Sequence, residues 1–259
     1  MNHDVASQDA RPVAPINPQG ASSIILVCEH ATPYIPSIFS DLGLSTDVLQ
    51  SHVAWDPGAM SVAEHLSHKL DATLIAGVVS RLVYDCNRPP DAPDAMPEKS
   101  EVHVIPGNRN LSQADKAMRV ATYYAPFRDC LSKTVAQTPN PVIVTLHSFT
   151  PTYHGKARKV EIGIVHDSDA RLADAMLACA ADHTSADLRR NEPYGPAHGV
   201  THTLREHALP GNHLNVMLEI RNDLIRTHTQ QVAMADMLAG WIADGFGRTN
   251  AAGSVQCVA

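Results

Sequence analysis

The sequence predicts a single α/β domain with a mostly parallel mixed sheet and helices on both faces. Three observations support this fold class. Short apolar runs, such as SSIILV at 22–27 and PVIVTL at 141–146, are typical of buried parallel strands. Segments in which apolar residues recur at helical spacing alternate with these runs. The 259 residues can bury a sizeable core, and no internal repeat or linker divides them.

The predicted elements follow one another along the chain in βα alternation. After the first strand, Val62, Leu66 and Leu70 mark the core face of a helix over 61–72. A β-rich stretch over 73–84 ends at a proline-rich loop of about 25 residues, a length that is usually functional or disordered. The later predicted elements are a helix from Ser112 toward Gln137 with a kink at Pro126, strands at 141–146, 159–165 and 214–220, and helices at 168–183 and 229–243.

We expect residues 1–20 to form a disordered leader, 21–247 the domain and 248–259 a frayed tail. The first twenty residues are rich in Pro, Asn, Asp and Gln and lack the apolar core of a signal peptide. The five cysteines are scattered and form no CxxC motif. This pattern favours free thiols in a reducing compartment, so we expect a cytoplasmic protein.

Charge and hydropathy limit the classes of partner. A formal net charge of -7 without runs of Lys and Arg predicts neither nucleic-acid binding nor attachment to a membrane surface. The longest apolar stretches fall short of the roughly 20 residues that a membrane-spanning helix needs. The sequence leaves open whether the chain forms a homo-oligomer.

Polar residues follow the apolar strands where each strand stops. In open α/β sheets, ligands bind outside the carboxyl ends of the strands. His30 and His147 end two different strands, and two histidines with a carboxylate form a standard catalytic zinc site. Either histidine alone is more typical of a hydrogen-bonded loop residue. Together they predict a metal site, with zinc as the expected ion.

Glu219 ends the strand VMLEI and precedes Arg221 by two positions. A carboxylate beside a metal-activated water is the usual general base in metal-assisted hydrolysis. A structural ion pair between Glu219 and Arg221 is the alternative that position alone leaves open.

The segment SRLVYDCNR at 80–88 contains Arg81, Asn87 and Arg88. An arginine grips a carboxylate with two parallel hydrogen bonds, so two arginines predict a small anionic substrate. Alternatively, Asp85 neutralises one arginine and braces the loop. His202 lies in a polar segment without the HExxH pattern and is a candidate substrate contact. Ser148 lacks a GxSxG elbow, which argues against a serine nucleophile and leaves it as a substrate contact.

Seven segments carry a family resemblance and cover nearly the whole chain after residue 20. They are CEHATPYIP (28–36), HVAWDPGA (52–59), SRLVYDCNRPP (80–90), IPGNRNLS (105–112), TLHSFTP (145–151), NEPYGP (191–196) and LEIRNDL (218–224). In this order they resemble the N-formylglutamate amidohydrolase family. The resemblance implies a fold related to the zinc carboxypeptidases, of the phosphorylase/hydrolase-like type.

The resemblance also implies roles. Glu219-Ile220-Arg221-Asn222 looks like the segment that carries the general base in the zinc carboxypeptidases, which makes Glu219 and Arg221 the catalytic candidates. The carboxypeptidase pattern places Glu three residues after His, whereas Glu29 is adjacent to His30. Asp56 is therefore expected as the third metal ligand in place of Glu29.

The function implied is metal-dependent hydrolysis of a small acidic N-acyl amino acid such as N-formylglutamate. The products would be formate and glutamate, as in histidine degradation. Family members tied to formylglutamate read PHSG where this chain reads CEHA, which leaves the true substrate open. The alternatives are a carboxypeptidase-like peptidase or amidase that acts on a short peptide, and a non-catalytic protein that binds an acidic ligand.

Overall fold

Ten strands occur in the computed structural model, which describes residues 12–255 and residue 257. The strands are β1 (Ile24–Cys28), β2 (Thr73–Ala76), β3 (Lys99–Ser100), β4 (His103–Val104), β5 (Val142–Phe149), β6 (Thr152–Tyr153), β7 (Lys156–Ala157), β8 (Ile162–Val165), β9 (Leu188–Arg190) and β10 (Asn215–Arg221). The α-helices of the described residues are α1 (Thr46–Leu49), α2 (Ala59–Lys69), α3 (Gln113–Arg119), α4 (Ala125–Gln137), α5 (Arg171–Cys179), α6 (His202–His207) and α7 (His228–Arg248).

The central sheet has the strand order β2-β1-β5-β10-β8-β9. The first four strands in this order are parallel to one another, β8 is antiparallel to β10, and β9 is parallel to β8. This confirms the predicted α/β fold with a mostly parallel mixed sheet. The pairs β3–β4 and β6–β7 form two separate antiparallel hairpins.

Helices cover both faces of the sheet, as predicted. Ile24 and Leu26 of β1 pack into a core with α2, α5 and α7. Ile25 and Val27 of the same strand point to the opposite face and pack with α4 and α6. All five residues of β1 are buried, which explains why this strand reads as a continuous apolar run.

Three element predictions need correction. The helix expected from Ser112 is interrupted by a π-helical segment at Val120–Tyr124, and Pro126 lies in the first turn of α4, where it needs no hydrogen-bonded N–H. The β-rich stretch at 73–84 forms only the short strand β2. The long loop after it contains the hairpin β3–β4.

Residues 12–20 are packed against the sheet, although a disordered leader was predicted there. The backbone of Ile16 exchanges two hydrogen bonds with Leu74, and Asn17 donates to Asp71. At the other end, Ser23 and Ser254 are joined by backbone and side-chain hydrogen bonds, so the predicted frayed tail returns to the start of β1. The remainder of the leader (1–11), and residues 256, 258 and 259 of the tail, lie outside the described residues.

None of the helices described is long and apolar enough to cross a lipid bilayer.

Candidate active site

Three neighbouring parallel strands bring the predicted polar residues to one edge of the sheet. His30 follows β1 by two residues, while His147 and Glu219 lie in β5 and β10. Glu219 and His147 are register partners across these two strands. Asp56 precedes α2, and its backbone N–H donates to the carbonyl of His30, which ties this segment to the end of β1.

Three atoms of these residues converge on one point. The Nδ1 atoms of His30 and His147 are 3.2 Å apart, and Asp56 Oδ2 lies 3.2 Å from the first and 2.9 Å from the second. Tetrahedral zinc with ligand distances near 2.0 Å places its ligand atoms roughly 3.3 Å apart. The spacing and the chemistry of this buried donor set therefore fit a divalent metal such as zinc.

Each histidine turns its other ring nitrogen toward a second carboxylate. His30 Nε2 lies 2.7 Å from Asp85 Oδ1, and His147 Nε2 lies 3.2 Å from Glu29 Oε2. The hydrogen bond to Asp85 holds the proton on His30 Nε2 and directs the Nδ1 lone pair inward, which is the usual support for a metal-ligating histidine, whereas Glu29 lies at ion-pair distance from His147 Nε2 without hydrogen-bond geometry. Glu29 thus contacts the outer side of His147, and Asp56 occupies the inner position.

The buried charges also fit a divalent cation. Burial alone would raise the pKa of Asp56, but both histidines lower it below its usual range. Asp85 and Glu29 likewise have lowered pKa values despite burial, chiefly because of His30 and His147 respectively. Against the effect of burial, these carboxylates raise the pKa of His30 and of His147, so without a metal the two protonated imidazoles and Arg81 balance the charges of Asp56, Asp85 and Glu29. A divalent cation would replace the two protons on the imidazoles and keep the buried charge balanced.

Glu219 differs from the other carboxylates. No hydrogen-bond partner of its side chain is found in the described part of the chain, although the residue is only 4% exposed. Burial raises its pKa to about 7, so the carboxyl can both accept and release a proton near neutral pH. Gly163 of β8 provides the space beside it, since a Cβ there would lie 3.1 Å from Glu219 Cβ.

An open cavity of about 240 Å³ contains this centre. This volume suits a small ligand, not a folded polymer. Polar and aromatic residues share its wall, which includes His30, Asp56, Arg81, His147, Ser148, Tyr194 and Glu219.

Comparison with known proteins identifies the family of this chain. The family model for N-formylglutamate amidohydrolase matches residues 22–226, a span that contains every residue of the converging centre. The chain belongs to the N-formylglutamate amidohydrolase family. It is therefore a hydrolase that acts on amides, as the sequence predicted.

Two solved structures resemble this amidohydrolase. The gene product Atu2144 from Agrobacterium tumefaciens is 51% identical, with a TM-score of 0.91 over 95% of this chain and 98% of that one. The N-formylglutamate amidohydrolase from Ralstonia eutropha JMP134 is 18% identical, with a TM-score of 0.59 over 92% of this chain and 97% of that one, and supports the fold. No curated protein matches the sequence.

The arginines predicted to bind substrate are engaged within the protein. Arg81 lines the cavity and pairs with Asp85 at 2.9 Å and with Asp56 at 3.5 Å. Arg88 pairs with Asp94 and also donates to two backbone carbonyl groups. Of the two arginines, Arg81 is therefore the one that Asp85 neutralises, whereas Arg88 pairs with Asp94.

Asn87 and Ser148, which were predicted to contact the substrate, both line the cavity but have different hydrogen-bond partners. The side chain of Asn87 lines the cavity and bridges to the backbone of Val200 and Thr203. Ser148 also lines it, and its hydroxyl donates to the carbonyl of Pro57.

The structure does not bring Arg221 and His202 into the cavity wall. Arg221 pairs with Asp223 and Glu161 and donates to the carbonyls of residues 158–160. Arg221, the last residue of β10, therefore braces the segment 158–161 and does not pair with Glu219. The His202 ring contacts the hydroxyl of Tyr124 at 2.8 Å and borders a separate groove.

Sequence reasoning missed three contributors to the site. Asp85 was considered only as a partner of an arginine, and its contact with His30 could not be inferred from the local pattern. Tyr194 lines the cavity and lies in the segment NEPYGP, which was noted for its resemblance alone. Arg158 stacks on aromatic rings beside the cavity, and no motif marked it.

Proposed function

We propose that the protein hydrolyses N-formylglutamate to formate and glutamate, with a zinc ion held by His30, Asp56 and His147. The observation that carries this proposal is the convergence of three buried donor atoms in one cavity with Glu219, whose side chain has no hydrogen-bond partner among the described residues, in a chain of this family. The two outer carboxylates, Asp85 and Glu29, strengthen the case for a metal because they orient both imidazoles.

When bound, the metal would supply a Lewis acid that polarises the acyl oxygen and makes water more acidic. Glu219 accepts the proton of the attacking water and later gives it to the departing amine nitrogen. A pKa of about 7 suits both transfers, because the carboxyl group is neither fully protonated nor fully deprotonated at neutral pH. Burial of the centre keeps these charges away from bulk water, where they would be screened.

The substrate class follows from the positive groups that line the cavity. Arg81 reaches the wall with 29% of its side chain exposed, so it is the arginine of the predicted set best placed for the α-carboxylate. Ser148 and Asn87 line the same wall and can shape the pocket. Arg88 also lines this wall, whereas His202 borders the separate groove and would act on the substrate only through its neighbours.

The compartment and the pathway belong to the same proposal. The cysteines Cys28, Cys86, Cys130, Cys179 and Cys257 are all free thiols, which is compatible with a reducing cytoplasm. Formate and glutamate as products would assign the reaction to histidine degradation.

The test combines metal analysis with a substrate screen. We expect the purified protein to contain zinc, to release formate from N-formylglutamate, to lose this activity on chelation and to regain it with added zinc. His30→Ala should lose both metal and activity, whereas His68→Ala, at an exposed position of α2, should keep both. Full activity in metal-free protein would remove the metal from the mechanism.

The screen also separates the alternatives. Cleavage of short peptides with no release of formate would identify a peptidase-like enzyme. Tight binding of acidic ligands without turnover would identify a binding protein. Faster cleavage of another acidic N-acyl amino acid would keep the mechanism and change the substrate.

A further inference from the structure

Arg158 lies at the border of the cavity within a group of aromatic rings. Its guanidinium carbon is 4.5 Å from the ring centroid of Tyr153, 5.0 Å from that of Tyr194 and 5.5 Å from that of Phe149. All three rings belong to residues that line the cavity. The guanidinium donates to the hydroxyl of Tyr194 at 2.9 Å and has a longer contact of 3.4 Å with the carbonyl of Thr150.

Arg158 differs from the other arginines near the cavity in its ion pairs. Arg81, Arg88 and Arg221 each form at least one ion pair with a carboxylate. Among the residues that the structure describes, no carboxylate forms an ion pair with Arg158. The planar guanidinium is therefore fixed by stacking on rings, while its positive charge is left without a protein counter-ion.

The backbone around Arg158 is held firmly. Its N–H donates to the carbonyl of Pro151 at 2.8 Å, which closes the hairpin β6–β7. Its own carbonyl accepts from Arg221 Nη1 at 3.3 Å. This fixed position favours a recognition role, because a preorganised cation loses little side-chain entropy on binding an anion.

Tyr194 connects Arg158 to the catalytic centre. The Tyr194 hydroxyl accepts from Arg158, and Tyr194 lines the same cavity as Glu219 and Arg81. Arg158 therefore contacts a wall of the cavity that contains the general base. A ligand whose amide is beside Glu219 would extend its far end, not its reacting end, toward Arg158.

We propose that Arg158 is a specificity-determining residue that binds the distal, side-chain carboxylate of the substrate. This inference rests on the proposed function and assigns the two carboxylates of an N-acyl acidic amino acid to two arginines, Arg81 and Arg158. Glu101 also lines the cavity, but its carboxylate already pairs with His52 at 2.9 Å and accepts from the backbone N–H of His154, and it forms no ion pair with Arg158. The enzyme should therefore prefer acidic over neutral side chains.

The first experiment compares N-formylglutamate with N-formylglutamine, which lacks only the distal charge. The wild type should prefer the acid by about 10- to 100-fold in kcat/KM, the usual range for a hydrogen-bonded charged group. Arg158→Met should lose most of this preference, because kcat/KM should fall for N-formylglutamate and stay the same for N-formylglutamine. Arg158→Lys keeps the charge but not the stacked fork, and should recover part of it. Arg226→Met removes an exposed arginine outside the cavity wall and should leave the preference unchanged.

The second experiment measures binding without turnover. Calorimetric titration with glutarate, a dicarboxylate of the same length, should give roughly 10-fold weaker binding or more to Arg158→Met than to the wild type. Thermal unfolding of each variant establishes that it is folded before the titration.

The outcomes distinguish the inference from the function on which it rests. An unchanged preference in a folded Arg158→Met enzyme that still releases formate would overturn the inference and leave the proposed function intact. If the wild type released no formate from any N-formyl amino acid, the proposed function would fail. Glutarate binding would then decide the role of Arg158, and equal affinity in the wild type and Arg158→Met would overturn it.

Discussion

At the residue scale, the site depends on how each histidine divides its two ring nitrogens. The Nδ1 atoms of His30 and His147 face Asp56, and the Nε2 atoms face Asp85 and Glu29. Since a neutral imidazole has one N–H, a carboxylate on the outer side selects the tautomer whose inner nitrogen can bind a metal. Asp85 and Glu29 therefore favour the tautomers in which the Nδ1 atoms are free to bind a metal.

Asp85→Asn tests this arrangement. Asparagine keeps the shape of Asp85 but loses the charge that His30 Nε2 and Arg81 both contact. We expect metal affinity to fall by about 10- to 100-fold, the usual effect of removing such a support. Competition with a metal chelator measures this affinity. Asp47→Asn, at an exposed position of α1, is the control, and equal affinities in the two variants would mean that Asp85 serves Arg81 alone.

Glu219→Gln tests the general base. We expect kcat to fall by about 10² to 10⁴ with little change in KM, because proton transfer is lost while the cavity keeps its shape. Steady-state release of formate provides the measurement. Glu64→Gln, at an exposed position of α2, should retain wild-type rates. A near-normal kcat in Glu219→Gln would assign the base role elsewhere.

At the element scale, the position of Glu219 depends on the one antiparallel neighbour of β10. Gly163 of β8 is paired opposite Glu219, and the carbonyl of Glu192 approaches the same position. A Cβ at Gly163 would lie 2.1 Å from that carbonyl oxygen, which no backbone adjustment of a few tenths of an ångström can relieve. The switch from parallel to antiparallel pairing thus places Gly163, which has no side chain, next to the general base.

Gly163→Ala should therefore lower both stability and activity. Overpacking of this kind costs about 1 to 3 kcal/mol, and displacement of Glu219 should reduce kcat. Urea denaturation and formate release measure the two effects. The matched control is Gly247→Ala in α7, where a Cβ meets no atom within 4 Å. That variant should be neutral or slightly more stable, because alanine favours helix over glycine. Similar behaviour of the two variants would show that β8 can move without cost.

At the scale of the whole molecule, the segments 12–20 and 254–255 pack against the edge and the start of the sheet. Strand β2 forms one edge of the sheet, and Ile16 pairs with Leu74 of this strand through two backbone hydrogen bonds. Ser254 pairs with Ser23 just before β1. An uncovered edge strand offers unpaired backbone groups to other chains, so the segment 12–20 protects this edge.

A variant that begins at residue 21 should be less stable than one that begins at residue 12. Loss of two backbone hydrogen bonds and of the packing of Ile16 should cost about 2 kcal/mol. In a protein of this size that loss corresponds to roughly 4 to 8 °C in Tm. Calorimetry of the two variants measures the difference. Equal melting temperatures would show that the segment contributes nothing to folding.

Much of the fold could be predicted from local pattern. The apolar runs that became β1, β5 and β10 required no knowledge of their partners, because full burial on both faces leaves a continuous hydrophobic signature. The predicted helices shifted by a few residues at their ends, and the π-helical segment replaced the kink expected at Pro126. Segment 12–20 was predicted to be disordered because the first twenty residues are rich in Pro, Asn, Asp and Gln, whereas its order comes from pairing with a strand that is distant in sequence.

The sequence alone determined that His30, His147 and Glu219 would meet, because parallel strands place their carboxyl ends at one edge of a sheet. Only the tertiary structure decided what each of their neighbours does. Arg221 braces the segment 158–161, and Arg158 packs against aromatic rings that line the cavity, although the chain places Arg221 beside the base and marks Arg158 with no motif. The physical reason is that the hydrophobic pattern of a helix or strand lies within its own segment of sequence. The partner of a charged side chain depends instead on which distant segments fold against it.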